Sequence, residues 1–156
     1  MGIREEFTDE EWQKLLSIPY AVSLTIITAA PSFLGAFGES KALLTEPAKL
    51  APSSGGDLVG LLSGEMQSKA KDLIKQQQDL MKRDQSGFRS KTIEACTSAS
   101  AILSKTTAEE AIAYKKWVLV IGQKVAEAAK EHGVAVSEPE KAVLSEVSAA
   151  FGMSDV

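Results

Sequence analysis

Apolar positions recur along most of this chain with the period of an α-helix, and nowhere with the alternation of a half-buried strand. The stretch from Glu65 to Gln85 contains no Gly or Pro. Met66, Ala70, Leu73, Gln77 and Leu80 recur there at spacings of 4, 3, 4 and 3, with Ile74 and Met81 beside them. This narrow stripe predicts a helix packed into a bundle along one side. Gly87 interrupts the pattern. Beyond it, Ile93, Cys96, Ser100 and Leu103 share a face, flanked by Ala95, Ala99 and Ile102, whose small size permits close helix approach. The segment from Ala108 to His132 predicts another helix, ending at Gly133, a residue suited to a left-handed cap. Ile112, Trp117, Ile121 and Val125 are expected on its buried face, widened by Leu119 and Val120. The last pattern runs from Glu138 to Phe151, stops at Gly152, and is expected to bury Val143, Leu144, Val147 and Phe151. "GVAVS" is a strand candidate too short and isolated to build a sheet.

Start signals agree with these patterns. Thr8 with Glu11, Thr107 with Glu110, and Ser137 with Glu140 each form a capping box. In such a box the hydroxyl and the carboxylate each satisfy an amide left open at a helix start.

Between Lys14 and Glu39 the chain carries no charge. A membrane-spanning helix needs about 20 continuous apolar residues. Pro19 and Pro31 bracket the strongest part, so the continuous apolar helix is about Ile18 to Ala30, roughly 18 Å. Ser17, Ser23, Thr25 and Thr28 dilute it further. The segment therefore reads as a core helix with no transmembrane span, joined through a kink at Pro19 to a helix that begins at Asp9. "PSFLGAFGES" reads as a connection that returns Phe33, Leu34 and Phe37 to the core. Glu39 to about Leu50 reads as a short helix weakened by Pro47. A flexible loop is expected near residues 51–57, with Asp57 capping a short turn through "LVGLL".

The expected architecture is all-α: a bundle of five to seven helices in a single domain spanning residues 1–156, with two helical units as a pseudo-repeat. The apolar fraction of 44% and charged fraction of 24% are those of a globular chain. The net charge of −4 is too mild to mark a nucleic-acid binder. One cysteine, Cys96, excludes an internal disulfide and points to a reduced, cytoplasmic setting. The acidic N-terminus has no secretion signal, and Glu6 stands where a myristoylation signal requires Ser or Thr.

Candidate chemistry is sparse. His132 is the single histidine, so a di-iron carboxylate site, which needs two Glu-x-x-His motifs, is excluded by residue count. Cys96 falls on an apolar helix face, where a thiol packs as a small hydrophobe. No phosphate-binding loop, dinucleotide fingerprint or Gly-x-Ser-x-Gly motif occurs. No cofactor is expected. Residues 65–91 are basic: Lys69, Lys71, Lys75, Lys82, Arg83, Arg89 and Lys91 stand against Glu65, Asp72, Asp79 and Asp84. Their alternation with acids describes a solvated face better than a binding patch.

From Ala113 to Gly152 the chain resembles the end of the tellurite-resistance protein B-like family. An apolar helix ends in the small pair Ala128-Ala129, Gly133 follows as turn glycine, then Val136, the cap Ser137, Glu140 and a final helix ending at Gly152. The segment from Phe7 to Ala30 is similar to a first copy of the same unit. The resemblance implies an all-helical fold and a metal-binding turn. His132 replaces the turn aspartate of the family, and the first copy has no Asp-Gly, so the acidic turns on which metal binding would rest are altered.

Three functions are thus expected, in order. The first is a non-catalytic protein-interaction module, with a protein partner or a second copy of the chain as a homodimer. The second is a stress-response metal binder using Glu131, His132, Glu138 and Glu140, whose oxygen and nitrogen atoms suit hard or borderline cations. The third is a carrier of a lipid or other apolar molecule, or a membrane-surface protein, drawing on the apolar Ile18–Phe37 stretch.

Overall fold

The computed structural model describes residues 3–29, 56–128 and 138–152. A 3-10 turn at Ile3–Glu6 precedes five α-helices: α1 Asp9–Ala29, α2 Asp57–Arg83, α3 Gln85–Leu103, α4 Ala108–Ala128 and α5 Glu138–Ala150. No strand occurs among the described residues. The chain is an all-α bundle, as the period of its apolar positions requires.

Helix α1 packs on each of the other four helices. Its capping box forms as expected: Thr8 N–H donates to Glu11 Oε1 at 2.8 Å and Glu11 N–H donates to Thr8 Oγ1 at 3.1 Å. Every residue from Ile18 to Ile26 is buried. The hydroxyls in this stretch are hidden by donating to carbonyls one turn back, Ser23 to Pro19 at 2.7 Å and Thr25 to Ala21 at 2.8 Å. The helix passes through Pro19, which has no N–H to offer the Leu15 carbonyl. The buried Tyr114 hydroxyl of α4 donates to that carbonyl instead, at 2.8 Å. The part of the uncharged stretch from Ile18 to Ile26 is thus the middle of the bundle. Among the described residues no helix is long and apolar enough to cross a membrane.

Helix α2 begins at Asp57, where the sequence pattern predicts only a short turn before a helix from Glu65. It runs straight through Gly60 and Gly64. Two contributions offset the poor helix propensity of those glycines. The Glu110 carboxylate of α4 accepts from the Asp57 and Leu58 amides at 3.2 and 2.8 Å, acting as a cap for an N-terminus whose own cap residue, Gly56, has no side chain. Leu58, Val59, Leu62 and Met66 then bury fully. The Trp12 indole N–H donates to Glu65 Oε2 at 2.9 Å and ties α2 to α1.

The break between α2 and α3 falls at Asp84 and not at Gly87. The Asp84 side chain accepts from the Gly87 amide at 3.0 Å, so the glycine lies in the first turn of α3. Contacts between Thr25 and Thr92 and between Glu11 and Lys105 set α3 antiparallel to α1. Cys96, Ala99 and Leu103 are buried on the expected face of α3.

Helix α4 buries Tyr114, Trp117, Val118, Leu119, Ile121 and Val125. Ile112 and Val120 instead stand 45% and 41% exposed, correcting the face expected from sequence. Ile112 precedes Trp117 by five positions, which is about 140° around a helix. Gly122 lets α4 approach its neighbours: a Cβ there would meet Ile26 Cδ1 at 2.8 Å and Leu144 Cδ2 at 3.0 Å. Val143, Val147 and Phe151 are buried as expected, while Leu144 is half-buried. Gly152 adopts φ +74°, as expected of the residue that ends the last helix. The expected helix at 39–50, the connection at 31–40 and the end of α4 at His132 and Gly133 lie outside the described residues.

Candidate functional site

Two of the four residues picked out for metal binding, Glu131 and His132, lie outside the described residues. Glu138 and Glu140 have their backbone in the first turn of α5. Among the described residues, no three His, Cys, Asp or Glu side chains gather closely enough to hold a metal ion. Cys96 is fully buried against the core, and burial pushes its thiol up to about 12. At that value almost no thiolate exists at neutral pH, so the group packs rather than reacts.

The basic stretch of α2 and α3 carries mixed, solvated charge. Lys69 lies 3.8 Å from Glu65, Arg89 2.6 Å from Glu146 and Lys91 3.3 Å from Asp84, all with exposed side chains. Exposed pairs of this kind contribute little, about 0–1 kcal/mol each. A shallow, charged depression on this surface is lined by Lys69, Asp72, Lys75 and Asp79.

A second, mainly apolar groove of about 420 Å³ opens between α1, α2 and α3. Helix α1 supplies one long wall: Glu10, Gln13 and Lys14 stand exposed toward the N-terminal end, Ser17 is half-buried, and Ile18 and Ala21 are buried. Helix α3 supplies buried Phe88 and Thr92, half-buried Ala95 and exposed Lys91. Helix α2 supplies Gln76, Gln77 and Leu80. The groove opens beside Leu80 near the C-terminal end of α2. Leu80, the last member of the sequence stripe, is 42% exposed, whereas Met66 and Leu73 earlier in the same stripe are buried. Its surface is mainly apolar, the usual condition for a site that takes a guest.

Gln77 is the unusual group in this wall. It is 8% exposed, and its side-chain amide makes no hydrogen bond among the described residues. The other buried polar side chains have partners. Ser23, Thr25 and Ser63 donate to backbone carbonyls, and Thr92 meets the Thr25 hydroxyl at 3.2 Å. A buried amide without a partner costs about 1–3 kcal/mol, so native chains seldom keep one without a use for it.

The groove offers binding chemistry: an apolar floor, one buried donor–acceptor group and cations at its rim. Sequence reasoning took Gln77 and Leu80 for ordinary members of a core stripe. The available signal was the change in the stripe itself, from Met66 and Leu73 to the run Gln76-Gln77-Gln78. A comparison with protein-family models, with curated proteins and with solved structures found no match to this chain.

Proposed function

We propose that this protein is a cytoplasmic, non-catalytic interaction module that takes a segment of another protein into the α1–α2–α3 groove. One observation carries this reading: an apolar floor of Ile18, Ala21 and Phe88 lies beside an exposed Leu80 on a groove open to solvent. A small molecule is usually enclosed over most of its surface. An open trough suits a chain that enters at one end and leaves at the other.

The test is partner capture with two baits, the wild-type chain and Ser17→Trp. Ser17 is half-buried in the groove wall, so an indole there fills the groove without entering the core. Proteins captured by the wild type and lost with Ser17→Trp support the reading. Equal capture by both baits refutes it. Native mass spectrometry of the protein purified without chelator adds a second check, because a bound lipid would replace the protein partner with an apolar small molecule.

A homodimer is a second reading, and exposed Ile112 and Val120 on α4 favour it. Sedimentation of the wild type and of Ile112→Lys/Val120→Lys decides it. A dimer that the double variant dissociates supports self-association, and a monomeric wild type ends the reading.

A further inference from the structure

We infer that the groove reads the main chain of its guest, Gln77 pairing through both ends of its carboxamide with one residue of an extended, acidic partner segment. This rests on the groove being the working surface.

The chemistry of the buried amide selects the guest. A carboxamide presents a donor and an acceptor side by side. A carboxylate offers acceptors alone, an amine donors alone, and a hydrocarbon neither. Each would leave half of Gln77 unsatisfied in a wall where it is more than nine-tenths buried. In an extended peptide the N–H and C=O of one residue point to the same side, as they do toward a neighbouring strand. That pair matches Gln77 on both counts. A helical guest does not, because its own backbone bonds consume both groups.

The dimensions agree. Along α1 the groove runs from Glu10 to Ala21, about 16 Å at 1.5 Å per residue. An extended segment of about five residues covers that length. Alternate side chains would then face the apolar floor, the others solvent. The rim sets the charge of the guest: Lys91 is already held 3.3 Å from Asp84, so Lys14, which makes no ion pair among the described residues, is the rim cation left to meet an acidic side chain. An acidic side chain next to the apolar positions is complementary to that rim.

The experiment uses the full chain and a display library of random 12-residue peptides, counter-selected on Ser17→Trp. Enriched peptides are synthesised, and their affinity is read by fluorescence polarisation. Gln77→Leu is expected to weaken binding by about tenfold or more, since it removes both hydrogen bonds. Methylating one backbone nitrogen of the peptide is expected to weaken binding to the wild type by a similar factor and to leave binding to Gln77→Leu unchanged. Lys14→Glu should disfavour the acidic peptides. Gln77→Leu should also melt about 2–4 °C higher than the wild type, which separates lost recognition from lost folding. Peptides that bind Gln77→Leu as tightly as the wild type, and tolerate methylation at every position, overturn the main-chain inference while leaving the groove reading intact. A library from which nothing survives counter-selection overturns both.

Discussion

The Tyr114 hydroxyl donates to the Leu15 carbonyl across 99 residues of sequence, at 2.8 Å and in full burial. Leu15 is the residue whose carbonyl Pro19 leaves without an intrahelical donor. One side chain from α4 therefore repairs the backbone defect in α1. It also packs edge-on to Trp117 and Phe151, with ring centroids 5.9 and 6.3 Å away. Tyr114→Phe keeps the ring contacts and orphans the carbonyl, an expected loss of about 1–3 kcal/mol. Pro19→Ala returns an N–H to position 19. In that background the cost of Tyr114→Phe should fall below about 1 kcal/mol, a coupling that a double-mutant cycle in urea would measure. Identical costs in both backgrounds would sink the account.

The start of α2 depends on Glu110, a residue from another helix. Gly56 has no side chain to cap with, and both Glu110 oxygens accept from the first amides of the helix. Glu110→Ala should cost about 1–2 kcal/mol, in the upper range for loss of a helix cap. The loss should be local as well as global, with amide exchange rising over residues 57–62 before the rest of α2. Glu110→Gln retains acceptor oxygen and should recover part of the protection. Uniform exchange along α2 in Glu110→Ala would refute the cap.

The sequence makes much of this fold legible because the governing interactions are local. Thr8 with Glu11 is a box closed within one turn, and it forms as the spacing requires. The end of the last helix at Gly152 is equally local, while Ser137 of the expected box with Glu140 lies outside the described residues. What escapes sequence reasoning is set at long range. Glu110 reads as part of a box with Thr107, and Glu110 N–H does donate to Thr107 Oγ1 at 3.3 Å. Its carboxylate nevertheless caps α2, and no periodicity in α2 announces that. The groove is hidden for the same reason. A stripe of spacing 3 and 4 says which positions share a face, but not how far the neighbouring helices extend to cover it. Leu80 sits where that cover gives out, with Gln77 buried beside it.

Acid should probe the tie between α1 and the end of α3. Glu11 is held below its ordinary value of 4.5, first by the hydrogen bond from Lys105 and next by the Thr8 backbone amide. A carboxylate whose folded value lies below its unfolded one stabilises the fold above the unfolded value, and that contribution disappears as pH falls through the folded one. Stability of the wild type should therefore drop more steeply than that of Glu11→Gln between about pH 5 and pH 3, and the two curves should converge at the acid end. Urea midpoints at a series of pH values measure this. Parallel curves down to pH 3 would show that the Lys105 contact contributes nothing.

Gly60 and Gly64 offer a change in the opposite direction. Both lie inside α2, and a Cβ built at either meets no atom within 4 Å. Neither has the positive φ that would call for glycine. Alanine is thus free of clash, and it restricts the unfolded chain more than glycine does. Each substitution should stabilise by about 0.4–1 kcal/mol. The pair should raise the melting temperature by several degrees, given about 2–4 °C per kcal/mol for a chain of this size. Gly122→Ala is the control, because its Cβ would press on Ile26 and Leu144, and it should destabilise by about 1–3 kcal/mol. Calorimetry on the three variants separates open glycines from close-packed ones. A Gly60→Ala/Gly64→Ala protein that melts below the wild type would mean that this face of α2 is covered in solution, and its partner would then become the first thing to identify.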